Sequence, residues 1–218
     1  ITSTLSGEGK SFVSINLSMS LALMKKKVLL IGMDMRSPML AQYLHLTKQN
    51  GITIYLSDEN IQPQEVITTS VYHEYMDVIP AGPIPPNPAE LIMSSRLELL
   101  IDYAKERYDY ILIDTAPIGL VSDTYLLNRI ADNSIFVARQ DYTPKEASIL
   151  INEIYEEKRL NGMGVVLNGT YTTSGYGYGY GNSSKEDKKK RYKIPNLTFD
   201  ERLRDYYQMY KDKRGNKK

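Results

Sequence analysis

Apolar residues along this chain fall into two kinds of pattern. Val28-Leu29-Leu30-Ile31, the centre of Tyr108–Thr115, Ser134–Arg139 and Met163–Asn168 are short runs that are apolar at nearly every position. Such runs mark strands buried on both faces of a parallel sheet. Longer stretches lie between them. Phe12–Met24, Ala89 to about Arg107 and Pro144 to about Leu160 read as helices, and in the first Val13, Leu17, Leu21 and Met24 recur at helical spacing. Lys25-Lys26-Lys27 then places positive charge at the dipole's negative end. Ala41–Leu46 and Gly51–Leu56 read as short helical pieces, Val66-Ile67 and Met76–Pro80 as short strands, and Ala81–Pro88 as a stiff, proline-dense loop. Strands alternating with helices predict an α/β architecture: a doubly wound, mostly parallel sheet with helices on both faces.

The pattern stops after Asn168. Ser174-Gly175-Tyr176-Gly177-Tyr178-Gly179-Tyr180-Gly181-Asn182 alternates tyrosine with glycine and offers nothing aliphatic to bury. Leu197 to about Lys213 reads as a last helix, and Lys188-Lys189-Lys190-Arg191 makes this end strongly basic. The chain is therefore expected to divide into a core, 1–169, and a tyrosine-rich basic tail, 170–218. The tail suits either a flexible linker or a set of exposed phenols beside a reactive site.

Composition narrows the classes. Over 218 residues, 27 Lys and Arg balance 26 Asp and Glu, which gives no electrostatic argument for nucleic acid as a partner. There is no cysteine, hence no disulfide scaffold and no thiolate metal site. The two histidines, His45 and His73, lack ligand spacing and read as surface residues. No apolar run approaches the ~20 residues of a membrane helix. The basic run reads as a solvated or membrane-proximal tail.

The chemistry concentrates at a few points. Gly7-Glu8-Gly9-Lys10-Ser11, just before the first helix, ends as a phosphate-binding loop ends, with Thr4 where that pattern has its first glycine. Glycines let successive N–H groups turn toward a phosphate, the helix presents its positive end, a lysine reaches the terminal phosphates and a hydroxyl can ligate magnesium. Two apolar strands end in acids, Asp34 and Asp114, where ligands bind in open α/β sheets. The second has the form of the strand whose acid holds magnesium or its water shell. Arg139 and Asn168 end the later strands and are candidates for the nucleotide base or for capping a turn. Only Ile1–Thr4 precede the loop, so the chain reads as a segment of a longer protein.

Taken together, Leu5–Ser11, Val28–Arg36 with Ser37-Pro38, Ile111–Asp114, Pro85-Pro86-Asn87-Pro88 and the tyrosine-rich tail resemble the cytoplasmic domain of bacterial tyrosine kinases, relatives of the MinD/ParA ATPases. The resemblance implies an ATP- and Mg2+-dependent autokinase that regulates capsule or exopolysaccharide export at the cytoplasmic face of the bacterial inner membrane. It implies catalytic roles for Lys10, Asp34 and Asp114, and nucleotide contacts from Ser6, Gly7, Glu8, Gly9, Lys10, Ser11, Phe12, Arg139 and Asn168. Ser11, Asp34 and Asp114 would serve the metal, and Tyr171, Tyr176, Tyr178, Tyr180 and Tyr192 would accept phosphate. Implied partners are further copies in a ring of about eight, a transmembrane and periplasmic part in the same or an adaptor protein, and an opposing tyrosine phosphatase. Leu5, where MinD-type ATPases carry a second signature lysine, sets the chain apart from those neighbours. One departure from the kinase pattern stands out: Gly32 replaces the first aspartate of the D-x-D-x-R motif that follows Val28–Ile31. A MinD/ParA-like ATPase switch and a nucleotide-binding scaffold without kinase activity are the alternatives.

Overall fold

A computed structural model describes residues 1–46 and 50–170. The chain divides into two units, Ile1–Asn168 and Gly169–Lys218, and the strands and helices described belong to the first. The expectations for the tail, including Tyr171, Tyr176, Tyr178, Tyr180, Tyr192 and the helix from Leu197, fall outside the described residues.

Six strands, β1 (Thr2–Ser3), β2 (Val28–Gly32), β3 (Met76–Ile79), β4 (Tyr110–Asp114), β5 (Ser134–Arg139) and β6 (Met163–Asn168), are described. Every strand pairing between them is parallel, in the orders β3-β2-β4 and β1-β5-β6. The Ile1 ammonium donates to Ile113 O at 2.7 Å and Thr115 N donates to Ile1 O at 3.1 Å, which joins the two blocks at β4 and β1. The chain leaves β1 toward β2 and leaves β4 toward β5, in opposite directions, so a crevice opens at their carboxyl ends.

The helices are α1 (Lys10–Leu23), α2 (Leu40–Tyr43), α3 (Ile52–Ser57), α4 (Pro63–Val66), α5 (Pro88–Met93), α6 (Ser95–Lys105), α7 (Asp123–Leu126) and α8 (Ala147–Glu156). Leu29 and Ile31 of β2, with Ile79, pack beneath Ile52, Leu97, Leu100 and Ile101 as the main core. A second core joins Ile118, Phe136, Ile154 and Leu160 under α8.

Several expectations are corrected. Val66-Ile67 is not a strand: Pro63 opens a helical turn whose start is closed by the Glu65 carboxylate accepting the Gln62 N–H at 2.7 Å, and only Thr68 bridges to Val78. The helix over 89–107 is two, broken at Ser94, which is extended (φ −65, ψ 146). Arg129 Nη2 takes the carbonyls there, donating to Ile92 O at 2.9 Å and Ser94 O at 3.4 Å. The helix expected from Pro144 begins at Ala147.

In α1 the buried face is Ser11, Ser14, Ile15, Ser18, Met19 and Ala22, not the Val13, Leu17, Leu21, Met24 stripe, and Met24 is 63% exposed. Small side chains let this helix approach the sheet closely. Two of these hydroxyls are satisfied within the helix, Ser14 Oγ donating to Lys10 O and Ser18 Oγ to Ser14 O. β6 is not buried on both faces either: it is an edge strand among the described residues, with Val165, Val166 and Leu167 exposed.

Candidate nucleotide site

β1 ends at Ser3, and the chain turns through 4–9 into α1, whose first residue is Lys10. Gly7 and Gly9 make the turn with φ of +86° and +95°, values that favour glycine. Space enforces the same choice. A Cβ on Gly9 would stand 2.1 Å from Asn168 Nδ2, and one on Gly7 would stand 2.8 Å from the Tyr142 hydroxyl. Ser6 and Gly7 form the exposed crest of the loop, and Phe12, on the first turn of α1, is 38% exposed.

The three sequence-derived catalytic candidates meet here. Lys10 Nζ lies 3.3 Å from Asp34 Oδ2, with both side chains about nine-tenths buried. Asp34 follows β2 and is oriented by Ser37 N, which donates to Oδ1 at 3.0 Å. Asp114, at the end of β4, is 2% exposed, and Ser14 Oγ lies 3.3 Å from its Oδ1. Burial pushes the Asp114 carboxyl above the ordinary range, opposed by a hydrogen bond from Ser11 and by the charge of Lys10. Arg36 Nε meets the buried Asp123 at 2.8 Å and so ties the strand-end segment carrying Asp34 to α7.

Arg139 and Asn168 reach the loop rather than open space. Arg139 Nη1 donates to Gly7 O and Asn168 Nδ2 to Glu8 O, each at 2.9 Å. Tyr142 and Thr143, which the sequence did not single out, join them: the Tyr142 hydroxyl donates to Ser6 O at 2.9 Å, and the Thr143 hydroxyl donates to the Glu8 carboxylate. Unlike Arg139 and Asn168, which end their strands, both lie beyond the end of β5, where no strand-end position or motif spacing marked them. A cavity of about 620 Å³ lies elsewhere, among Leu17, Leu21, Ile101, Ile111 and Ile135, and neither Lys10, Ser11 nor either site carboxylate lines it.

A family model described as an AAA domain matches residues 1–161. Tyrosine-protein kinase YwqD of Bacillus subtilis is 37% identical over 169 residues, 78% of this chain and 70% of that protein. The chain belongs to the bacterial tyrosine-protein kinase family. The solved kinase domain of Escherichia coli tyrosine kinase ETK superposes with a TM-score of 0.72 at 31% identity, over 83% of this chain and 70% of that one. This bacterial tyrosine kinase domain spans only 23% of the longer Escherichia coli kinase Etk, to which it is 34% identical. MinD of Pyrococcus horikoshii, solved with Mg-ADP, shares the fold (TM-score 0.60, 22% identity). A parallel-sheet nucleotide-binding fold is common to all of these.

Within this kinase domain Gly32 has a structural counterpart. It pairs with Asp114 across β2 and β4, so a side chain there would stand on the same face as the Asp114 carboxylate. A Cβ would meet Leu40 Cδ2 at 3.1 Å and Ala81 N at 3.2 Å. Leu40, 3% exposed, packs against the place where the motif's first carboxylate would project.

Proposed function

We propose that this domain transfers the γ-phosphoryl group of ATP to tyrosines of the tail, Tyr171, Tyr176, Tyr178, Tyr180 and Tyr192, on a neighbouring copy. The reading rests on one observation: a glycine-turned loop, Lys10, Ser11 and two strand-end carboxylates converge at one end of the sheet.

The donor set fits magnesium held together with a nucleotide. Among the described residues no three His, Cys, Asp or Glu cluster to hold a metal alone. Mg2+ characteristically uses one or two carboxylates plus phosphate oxygens and water, which Ser11, Asp114 and Asp34 would complete. Bound there, it would neutralise charge on the phosphate oxygens. Lys10 is the group to bind those oxygens, leaving its pairing with Asp34 as it does so. Asp34 is then the carboxylate to accept the phenol proton as the tyrosine oxygen bonds to the γ-phosphorus and the bond to ADP breaks. Phosphoryl transfer has a loose transition state, so positioning and charge neutralisation account for most of the effect. Each modified tyrosine gains about −1.5 to −2 charge, so a phosphorylated cluster repels itself.

Assembly as a ring of about eight copies, attachment to a transmembrane and periplasmic part at the inner membrane, and reversal by a tyrosine phosphatase belong to the same reading. A relative from Klebsiella pneumoniae, 35% identical over 162 residues, is described as lying in the cps region, which supports a role in capsule or exopolysaccharide export. No helix among the described residues is long and apolar enough to cross a membrane.

Incubation with labelled ATP and Mg2+, followed by mapping of the phosphate, is the test. Label on the tail tyrosines that disappears in Lys10→Met and in Asp34→Asn is the expected result. Free phosphate with an unmodified tail would instead indicate an ATPase switch, and tight ATP binding with neither outcome a scaffold. Wild-type labelling in Asp34→Asn would remove the role given to that carboxylate.

A further inference from the structure

Glu8 is a carboxylate inside a loop shaped for an anion, and it is completely buried. A negative charge so placed opposes a phosphate, and its partners indicate what it does instead. One oxygen accepts the Leu5 N–H at 2.7 Å, and the other accepts the hydroxyl of Thr143. Thr143 Oγ1 is itself fixed by the Arg139 N–H at 2.7 Å, so the carboxylate is anchored to the carboxyl end of β5.

The neighbouring bonds share one direction. The carbonyls of Ser6, Gly7 and Glu8 are held by Tyr142, Arg139 and Asn168, each at 2.9 Å. In a planar trans peptide the C=O and the N–H of the next residue point oppositely. Carbonyls drawn outward toward β5 and β6 therefore turn the N–H groups of Gly7, Glu8 and Gly9 to the other side of the loop, the arrangement of an anion-binding nest. Tyr142 also lies under the Arg139 guanidinium, 5.1 Å from its ring centre, which stiffens the pair.

We propose that Thr143, Arg139, Tyr142 and Asn168 form an external clasp that preorganises the loop amides for a polyphosphate, with Glu8 as the positioning residue through which Thr143 holds the loop. The clasp rests on the nucleotide reading above and adds the reason the loop works without its first glycine: Glu8 closes its base on Leu5, beside Thr4. An empty loop held in its binding shape loses less freedom when the anion arrives.

The test uses the full chain and a fluorescent ATP analogue with Mg2+, titrated into wild type, Thr143→Val, Thr143→Ser and Tyr142→Phe, with melting temperatures recorded with and without Mg-ATP. Thr143→Val should weaken binding about tenfold, the loss of one charge-assisted hydrogen bond, and Thr143→Ser, which keeps the hydroxyl, should restore it. Tyr142→Phe removes only a hydroxyl from a half-exposed ring and should weaken binding about threefold, the effect of a neutral hydrogen bond. It keeps the test decisive even if Thr143→Val folds poorly. Folded variants that bind as tightly as wild type, or a serine that fails to rescue, would overturn the clasp while leaving the nucleotide reading intact. A wild type that does not bind Mg-ATP would overturn both.

Discussion

Restoring the absent carboxylate, by Gly32→Asp, is expected to destabilise this domain, and the structure supplies the size of the effect. Gly32 does not have positive φ, so backbone strain does not oppose a side chain, and replacing glycine in a strand gains about 0.5–1 kcal/mol of chain entropy. Against this, a Cβ at 3.1 Å from Leu40 and 3.2 Å from the Ala81 backbone is tighter than ordinary contact. Leu40 can shift and the Ala81 backbone cannot, and overpacking of this kind costs about 1–3 kcal/mol. The net for Gly32→Ala is a loss of about 1 kcal/mol.

The aspartate adds charge on the face of Asp114, whose own carboxyl burial already raises. Two carboxylates about 5 Å apart at an effective dielectric near 20 repel by about 3 kcal/mol, an upper figure because one can take up a proton instead. Gly32→Asp should therefore lose about 2–4 kcal/mol in urea unfolding at neutral pH. Leu40→Ala should cost at least about 1 kcal/mol less in the Gly32→Asp background than alone, because it opens the space that the new side chain needs. A Gly32→Asp protein as stable as wild type, or strict additivity with Leu40→Ala, would refute the reasoning.

Other expectations concern the support of the site. The Tyr108 hydroxyl donates to Asp77 at 2.7 Å, and burial, followed by that bond, raises its pKa above that of a free phenol. The native phenol stays neutral while the unfolded one ionises from about pH 10, so its contribution is complete below that pH and is lost as pH rises further. Tyr108→Phe should cost about 1 kcal/mol at pH 8, and the difference from wild type should shrink by pH 11; a pH-independent difference would count against it. Arg96 donates to Tyr55 O, Glu59 O and Ile61 O and lies 4.2 Å from the Tyr55 ring centre. Arg96→Met should lose about 2–3 kcal/mol in urea unfolding, and Arg96→Lys should recover less than half, because one ammonium cannot serve three carbonyls in a plane.

Much of the fold was legible because its signals are local. The runs 134–139 and 163–168 are β5 and β6 as read, and continuous apolar runs ending in an acid marked β2 and β4. Val66-Ile67 misled because two β-branched residues are too short a run to outweigh the proline and glutamate that open a helical turn before them. The break at Ser94 had no local breaker: Arg129, far along the chain, takes the Ile92 carbonyl at the break and shares that of Ser94 with Leu97 N. The helical stripe of α1 was misassigned because hydrophobicity scores leucine above serine, whereas close approach to the sheet selects the smaller side chain.

The sequence by itself determined the alternation of strands and helices, the glycine-lysine-serine turn and the acids at strand ends, all properties of neighbours along the chain. Tertiary structure alone decided that Lys10 pairs with Asp34, that Leu40 packs against the place of a carboxylate at position 32, and that Thr143 and Asn168 hold the loop from the carboxyl ends of the neighbouring strands β5 and β6. Those contacts join residues that only the crossing of parallel strands brings within hydrogen-bond reach, and no periodicity along the chain encodes them.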